Sequence, residues 1–152
     1  MATPEERLAE LGLEIPQVPA PVAAYVPAVR SGNHILTSGQ LPMRDGQLLR
    51  TGKVGGEVTQ EEAVECARQC GLNALAAVSA ELGSLSAIKR VVKVVAFVAS
   101  TPDFTGQPLV ANGVSELLGD VFGDAGRHAR SAVGVPVLPL DAPVEVELMV
   151  EV

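Results

Sequence analysis

Tryptophan is absent from this chain, and three phenylalanines and one tyrosine are its only aromatic side chains of that size class. A core built without such groups must be aliphatic, filled by valine, leucine and alanine. Cysteine is nearly absent as well. Cys66 and Cys70 lie four apart on an expected helix, where their side chains diverge poorly for a disulfide. With no companion cysteine or histidine cluster they make no zinc site, and no metal is expected; they read as reduced, small, partly buried residues. No apolar run is long enough to span a bilayer, the longest being Val91 to Ala99. The opening residues, Met1 to Arg7, lack the basic-then-apolar pattern of a secretory leader. A soluble cytoplasmic protein without a membrane partner is therefore expected.

Basic charge is also scarce. The net charge is −7 and the pI about 4.8, so the average surface repels phosphate backbones. No lysine or arginine cluster interleaved with aromatics offsets this, which argues against nucleic acid as a partner.

What is present orders itself into alternating elements. The 152 residues are expected to form a single domain, 1–152, in which 1–22 is an N-terminal helix and proline-rich arm. Pro4 to Leu11 reads as a short amphipathic helix, and Ile15 to Pro21 as an extended strap whose prolines forbid helix. Strands are expected at Ala24 to Val29 and His34 to Ser38, joined by the turn Ser31-Gly32-Asn33. Met43 to Gly56 reads as a loop carrying a short strand at Gln47 to Leu49. Thr59-Gln60-Glu61-Glu62 has capping-box spacing and opens a helix with the stripe Val64, Ala67, Leu75, Val78 and Leu82, ended by Gly83. The β-branched run Val91 to Val98 fits a central strand covered on both faces. A second helix begins near Pro108, with the stripe Val110, Val114, Leu117, Leu118, Val121 and Phe122.

The last elements are expected as a hairpin, Ala129 to Val137 against Val144 to Val152. Strand alternation puts Arg130, Ala132 and Gly134 on one face, a guanidinium beside two of the smallest side chains. That arrangement suits a small carboxylate. The whole reads as α+β: a β-β-α-β-α-β-β mixed sheet with two helices packed on one face. The other face is left uncovered and is expected to carry Arg130, Ala132, Gly134, Glu145 and Glu147. Such a face in so apolar a chain invites self-association.

Several runs in this order resemble the RidA family, also called YjgF, the enamine/imine deaminases. They are Tyr25-Val26, Thr37 to Pro42 (TSGQLP), Lys93 to Val98 followed by Asp103-Phe104, Arg130-Ser131, and Val144 to Glu147 after the Leu138-Pro139 turn. The match spans about Tyr25 to the C-terminus, with the first twenty or so residues an extension found in a longer subgroup. The resemblance implies a chorismate-mutase-like fold and a homotrimer with sites at subunit interfaces. It implies hydrolysis of 2-aminoacrylate-type enamines and imines to 2-keto acids and ammonia, without a cofactor. It places the family arginine, which binds the substrate carboxylate, on Arg130 and the family glutamate, which holds a water, on Glu145. Tyr25, Ser38 and Asn112 fall on pocket-lining positions. Ala132 stands where a cysteine is common, His128 where a proline is common, and Gly134 where a larger residue is found.

Blander readings exist for each residue. Arg130 could form an ion pair with Glu145, Glu147 or Glu151, Glu145 could be a solvated strand residue, and Tyr25 could be interface packing. Ser38 has no histidine and aspartate at a recognisable spacing to make it a nucleophile. His128 reads as a loop histidine and His34 as structural. Two other functions compete with the deaminase: a non-catalytic trimer that binds a small carboxylate or a partner, which Ala132 favours, and a ribonuclease, which the acidic balance disfavours.

Overall fold

In a computed structural model, which describes residues 2–18 and 24–152, two long helices lie against one face of a five-stranded mixed sheet. The strands are β1 (Ala28–Ser31), β2 (His34–Thr37), β5 (Arg90–Ala99), β6 (Ala129–Val135) and β7 (Val144–Glu151), in the order β1-β2-β7-β5-β6. A separate hairpin joins β3 (Met43–Arg44) to β4 (Gln47–Leu48) through Asp45 and Gly46, both at positive φ as a tight hairpin requires. The helices are α1 (Pro4–Glu10), α2 (Gln60–Leu82) and α3 (Gln107–Phe122).

Local chemistry sets these boundaries. Thr59 accepts from the Glu62 amide while Glu62 accepts from the Thr59 amide, so the capping box forms as its spacing predicts. Those hydrogen bonds also hold the Glu62 carboxyl below its ordinary range. Gly83 ends α2 at φ 85°, a conformation that costs glycine nothing. Thr3 and Glu6 make a second capping box at α1. Pro27 delays the first strand, so β1 begins at Ala28 and not at Ala24, and Tyr25 lies before it.

The core is aliphatic, as the missing aromatics require. Ile35, Leu75, Leu85, Val94, Val98, Leu117, Leu118 and Val146 are fully buried in it, each contributing about 1.5–3 kcal/mol. Helix α2 is buried well beyond its expected stripe, with Cys66 and Cys70 entirely inside. Burial lifts the Cys66 thiol to about 11 and pushes Cys70 well above its ordinary range, which makes both inert. Helix α1 packs on α3 through Leu8, and Glu5 accepts from Ser84, Leu85 and Ser86. The end of the proline arm, residues 19–21, lies outside the described residues.

Two expectations are corrected. Strands β6 and β7 are not a hairpin. β6 pairs parallel to β5, and β7 runs antiparallel between β2 and β5. The connection from Pro136 to Pro143 straddles the end of β5, where the Ala99 amide donates to the Pro143 carbonyl. Helix α3 supplies the crossover that parallel pairing needs. Consequently Arg130, Ala132 and Gly134 are not on the uncovered face. They align with Val94, Ala96 and Val98, all fully buried, and so face the helices. The alternation in β7 holds: Val144, Val146, Leu148 and Val150 are buried, while Glu145 and Glu147 share the open face with Phe97 and Val95.

Candidate functional site

Strand β6 is a sheet edge, and Arg130 lies on it beneath α3. Asn112 and Ser115, one helical turn apart, project from α3 toward it. The Arg130 Nη1 donates to Asn112 Oδ1 at 2.8 Å and to Ser115 Oγ at 3.2 Å. Both partners are neutral. Among the described residues the ion pairs are Arg50 with Glu62 and Lys53 with Asp141, and neither involves Arg130. Its Nε and Nη2 edge keeps three donors in the fork geometry that matches a carboxylate.

The space expected beside the guanidinium is partly filled. Ala132 packs against the core, and a Cβ on Gly134 would lie 2.8 Å from Gln107 Nε2 and 2.9 Å from Ser100 Oγ. Arg130 lines neither of two concavities. One, of about 560 Å³, is bordered by His34, Arg90, Arg127, His128 and Glu151. A larger one, of about 1190 Å³, lies between the N-terminal arm, the β3–β4 hairpin and α2.

Glu145 belongs to a different cluster. Its carboxylate lies against Gly39 so closely that a Cβ there would overlap Oε2. Burial, and then the neighbouring Glu147 charge, push its pKa up. Ser38 is next to Gly39, and its hydroxyl donates to the Val26 carbonyl at 2.6 Å, while its amide donates to Pro27. This anchors the segment carrying Tyr25, which is 65% exposed. The structure thus brings together Ser38, Gly39 and Glu145, with Tyr25 on the segment that Ser38 anchors, and separately Asn112, Ser115, His128 and Arg130. The two groups lie on opposite faces of the sheet: Arg130 shares a row with Val94, Glu145 with Phe97.

Gly39 and Ser115 were not singled out for these positions by sequence reasoning, and His128, read as a loop histidine, is bonded to Ser115 and Gly126. The i, i+3 spacing of Asn112 and Ser115 on a helix next to the arginine strand was the available signal for one of them. The elevated Glu145 carboxyl suits proton exchange with water nearer neutral pH. Arg130 suits anchoring of a small anion.

The sequence model of the family described as "YjgF/chorismate_mutase-like, putative endoribonuclease" matches residues 5–152. The chain belongs to this RidA/YjgF family. It is 47% identical to protein TCP17 of Trypanosoma cruzi, over 95% of this chain and 91% of that one. It is 34% identical to a 2-iminobutanoate/2-iminopropanoate deaminase of Dermatophagoides farinae, over 91% of this chain and 93% of that one. Among solved structures, Atu1372 of Agrobacterium tumefaciens, a protein described as of unknown function, superposes with a TM-score of 0.93 at 48% identity, covering 99% of this chain and 93% of that one.

Proposed function

We propose that this protein hydrolyses small 2-imino acids and their enamine tautomers to 2-keto acids and ammonia. The sites lie between the copies of a homotrimer. The observation that carries the reading is the Arg130 guanidinium, held through Nη1 by neutral oxygens with its Nε–Nη2 edge unpartnered among the described residues.

In this reading that edge takes the substrate carboxylate through two parallel charge-assisted hydrogen bonds. Glu145 comes from a neighbouring copy, because the two groups occupy opposite faces of one chain's sheet. Its carboxylate holds a water and accepts a proton as the water oxygen bonds to the imine carbon. That proton passes on to the imine nitrogen to give a carbinolamine, and as its C–N bond breaks the hydroxyl proton moves to the departing amine, the C=O bond of the keto acid forms and ammonia leaves. Imines hydrolyse in water unaided, so orientation and one proton relay are sufficient help. Tyr25 and Ser38 line the pocket beside Glu145, Asn112 steadies Arg130, and Ala132 contributes backbone on the β6 edge. The 34% identity to an imine deaminase supports the same chemistry.

Ala132 favours a second reading, a trimer that binds small carboxylates without turnover, because a methyl group offers no chemistry at that position. One assay separates the two. The protein is added to a serine or threonine dehydratase and keto-acid release is followed, with Arg130→Ala in parallel. Faster release by wild type, reduced at least about 100-fold in kcat/KM by the substitution, supports the deaminase. Equal rates with and without protein, alongside Arg130-dependent binding of pyruvate, leave the binding module. A third reading, ribonuclease, has the acidic surface against it, and salt-sensitive RNA binding would revive it.

A further inference from the structure

Arg130 is steadied by more than the one asparagine. Ser115 Oγ lies 3.2 Å from Arg130 Nη1 and 2.9 Å from His128 Nε2, while His128 Nδ1 lies 2.6 Å from the Gly126 carbonyl oxygen. A carbonyl only accepts, so Nδ1 carries the proton of that short bond. When Nδ1 carries the ring's one proton, Nε2 is an acceptor, and the one proton of Ser115 goes to it. With its proton committed to histidine, the serine oxygen presents only lone pairs to the guanidinium. The chain of donors therefore runs from Arg130 to Ser115 to His128 to Gly126, in one direction.

Its far end is fixed. Gly126 packs so tightly on α3 that a Cβ there would lie 2.2 Å from the Leu118 carbonyl oxygen, and the residue is buried. The chain thus starts on β6, passes through α3 at Ser115, and closes on a turn pinned to the same helix. Asn112, the other Nη1 partner, is also on α3. Both Nη1 protons are occupied, which leaves one rotational setting for the fork.

We infer that Ser115 and His128 are positioning residues for Arg130: through a hydroxyl oriented by the imidazole, they fix the guanidinium so that its Nε–Nη2 edge faces the anionic substrate. The role of the edge rests on the function proposed above; the role of the pair in ordering Arg130 does not. A nucleophilic role for Ser115 is disfavoured by the same geometry, because its lone pairs point at a cation.

The test measures 15N relaxation of the Arg130 Nε–H group in the assembled protein, without ligand. In wild type it should behave as a rigid site, with an order parameter near about 0.85, and in Ser115→Ala and His128→Ala it should fall toward about 0.6 or below. Ser115→Thr, which keeps the hydroxyl, should restore it. Because histidine acts through serine, the double variant should be no looser than Ser115→Ala alone. In the imine assay both single variants should raise KM about 3- to 10-fold with kcat nearly unchanged. Unchanged relaxation in both variants, or losses that add in the double variant, would overturn the inference. So would labelling of Ser115 by a fluorophosphonate. If relaxation responds as expected but wild type neither hydrolyses imines nor binds pyruvate, the proposed function fails and this inference stands.

Discussion

Glu145 rests its carboxylate against a glycine, half out of water and near the Glu147 charge, so ionisation costs the folded state. Its folded pKa lies above the ordinary value of 4.5, and the sign follows from that. Folding is favoured while the group is protonated in both states, below about 4.5, and the advantage is lost as pH rises through the folded value. Glu145→Gln should therefore raise the urea midpoint at pH 7.5, with a difference that vanishes at pH 4. The same substitution should lower imine turnover at least about 100-fold. A lower midpoint at pH 7.5 would show that the carboxylate is stabilising and not strained. At this scale the sequence was informative about identities: Arg130 and Glu145 stand out by motif. It was silent on Ser115 and read His128 only as a loop histidine, because the roles of both depend on which face of β6 meets α3. The bland ion pair of Arg130 with a β7 glutamate also disappears once those faces are known, since the residues lie on opposite sides.

Elements were legible where a local signal set them. The capping box, the αL glycine after α2 and the proline at the start of α3 mark their helices without reference to anything distant. Strand partnership was not legible, because β6 and β7 are neighbours in sequence and only the tertiary fold inserts β5 between them. The eight-residue connection, with Leu140 and Asp141 at positive φ, has the length of a bridge over a strand and not of a tight hairpin. Helix α3 is the element on which the proposed site depends, and it approaches α2 through two glycines. A Cβ on Gly113 would lie 2.2 Å from the Val64 carbonyl oxygen, and one on Gly71 would lie 2.9 Å from Val114 Cγ2. Gly113→Ala must push α3 away from α2, carrying Asn112 and Ser115 with it. The expected cost is about 1–3 kcal/mol in stability, read from denaturant unfolding, with a larger fractional loss of activity than of folded protein. A variant as stable and as active as wild type would show that α3 does not need so close a seat.

For the whole molecule, one sheet face is left without helices. It carries Val29, Leu36 and Val133, each more than a third exposed, beside Val95, Phe97 and Met149. A second copy covering this face would remove apolar surface from water and bring a Glu145 cluster toward another chain's β6 edge. No helix among the described residues is long and apolar enough to cross a membrane. The arrangement makes a specific demand on subunit exchange. Arg130→Ala and Glu145→Gln chains, each inactive alone, are mixed in equal amounts, dissociated and reassembled. If each site takes its arginine from one chain and its glutamate from the next, random assembly restores about a quarter of the wild-type sites, and imine hydrolysis returns to about that fraction. If activity stays at the level of the separate variants while mixed assemblies are demonstrably present, the two residues do not act across an interface and the central claim is wrong.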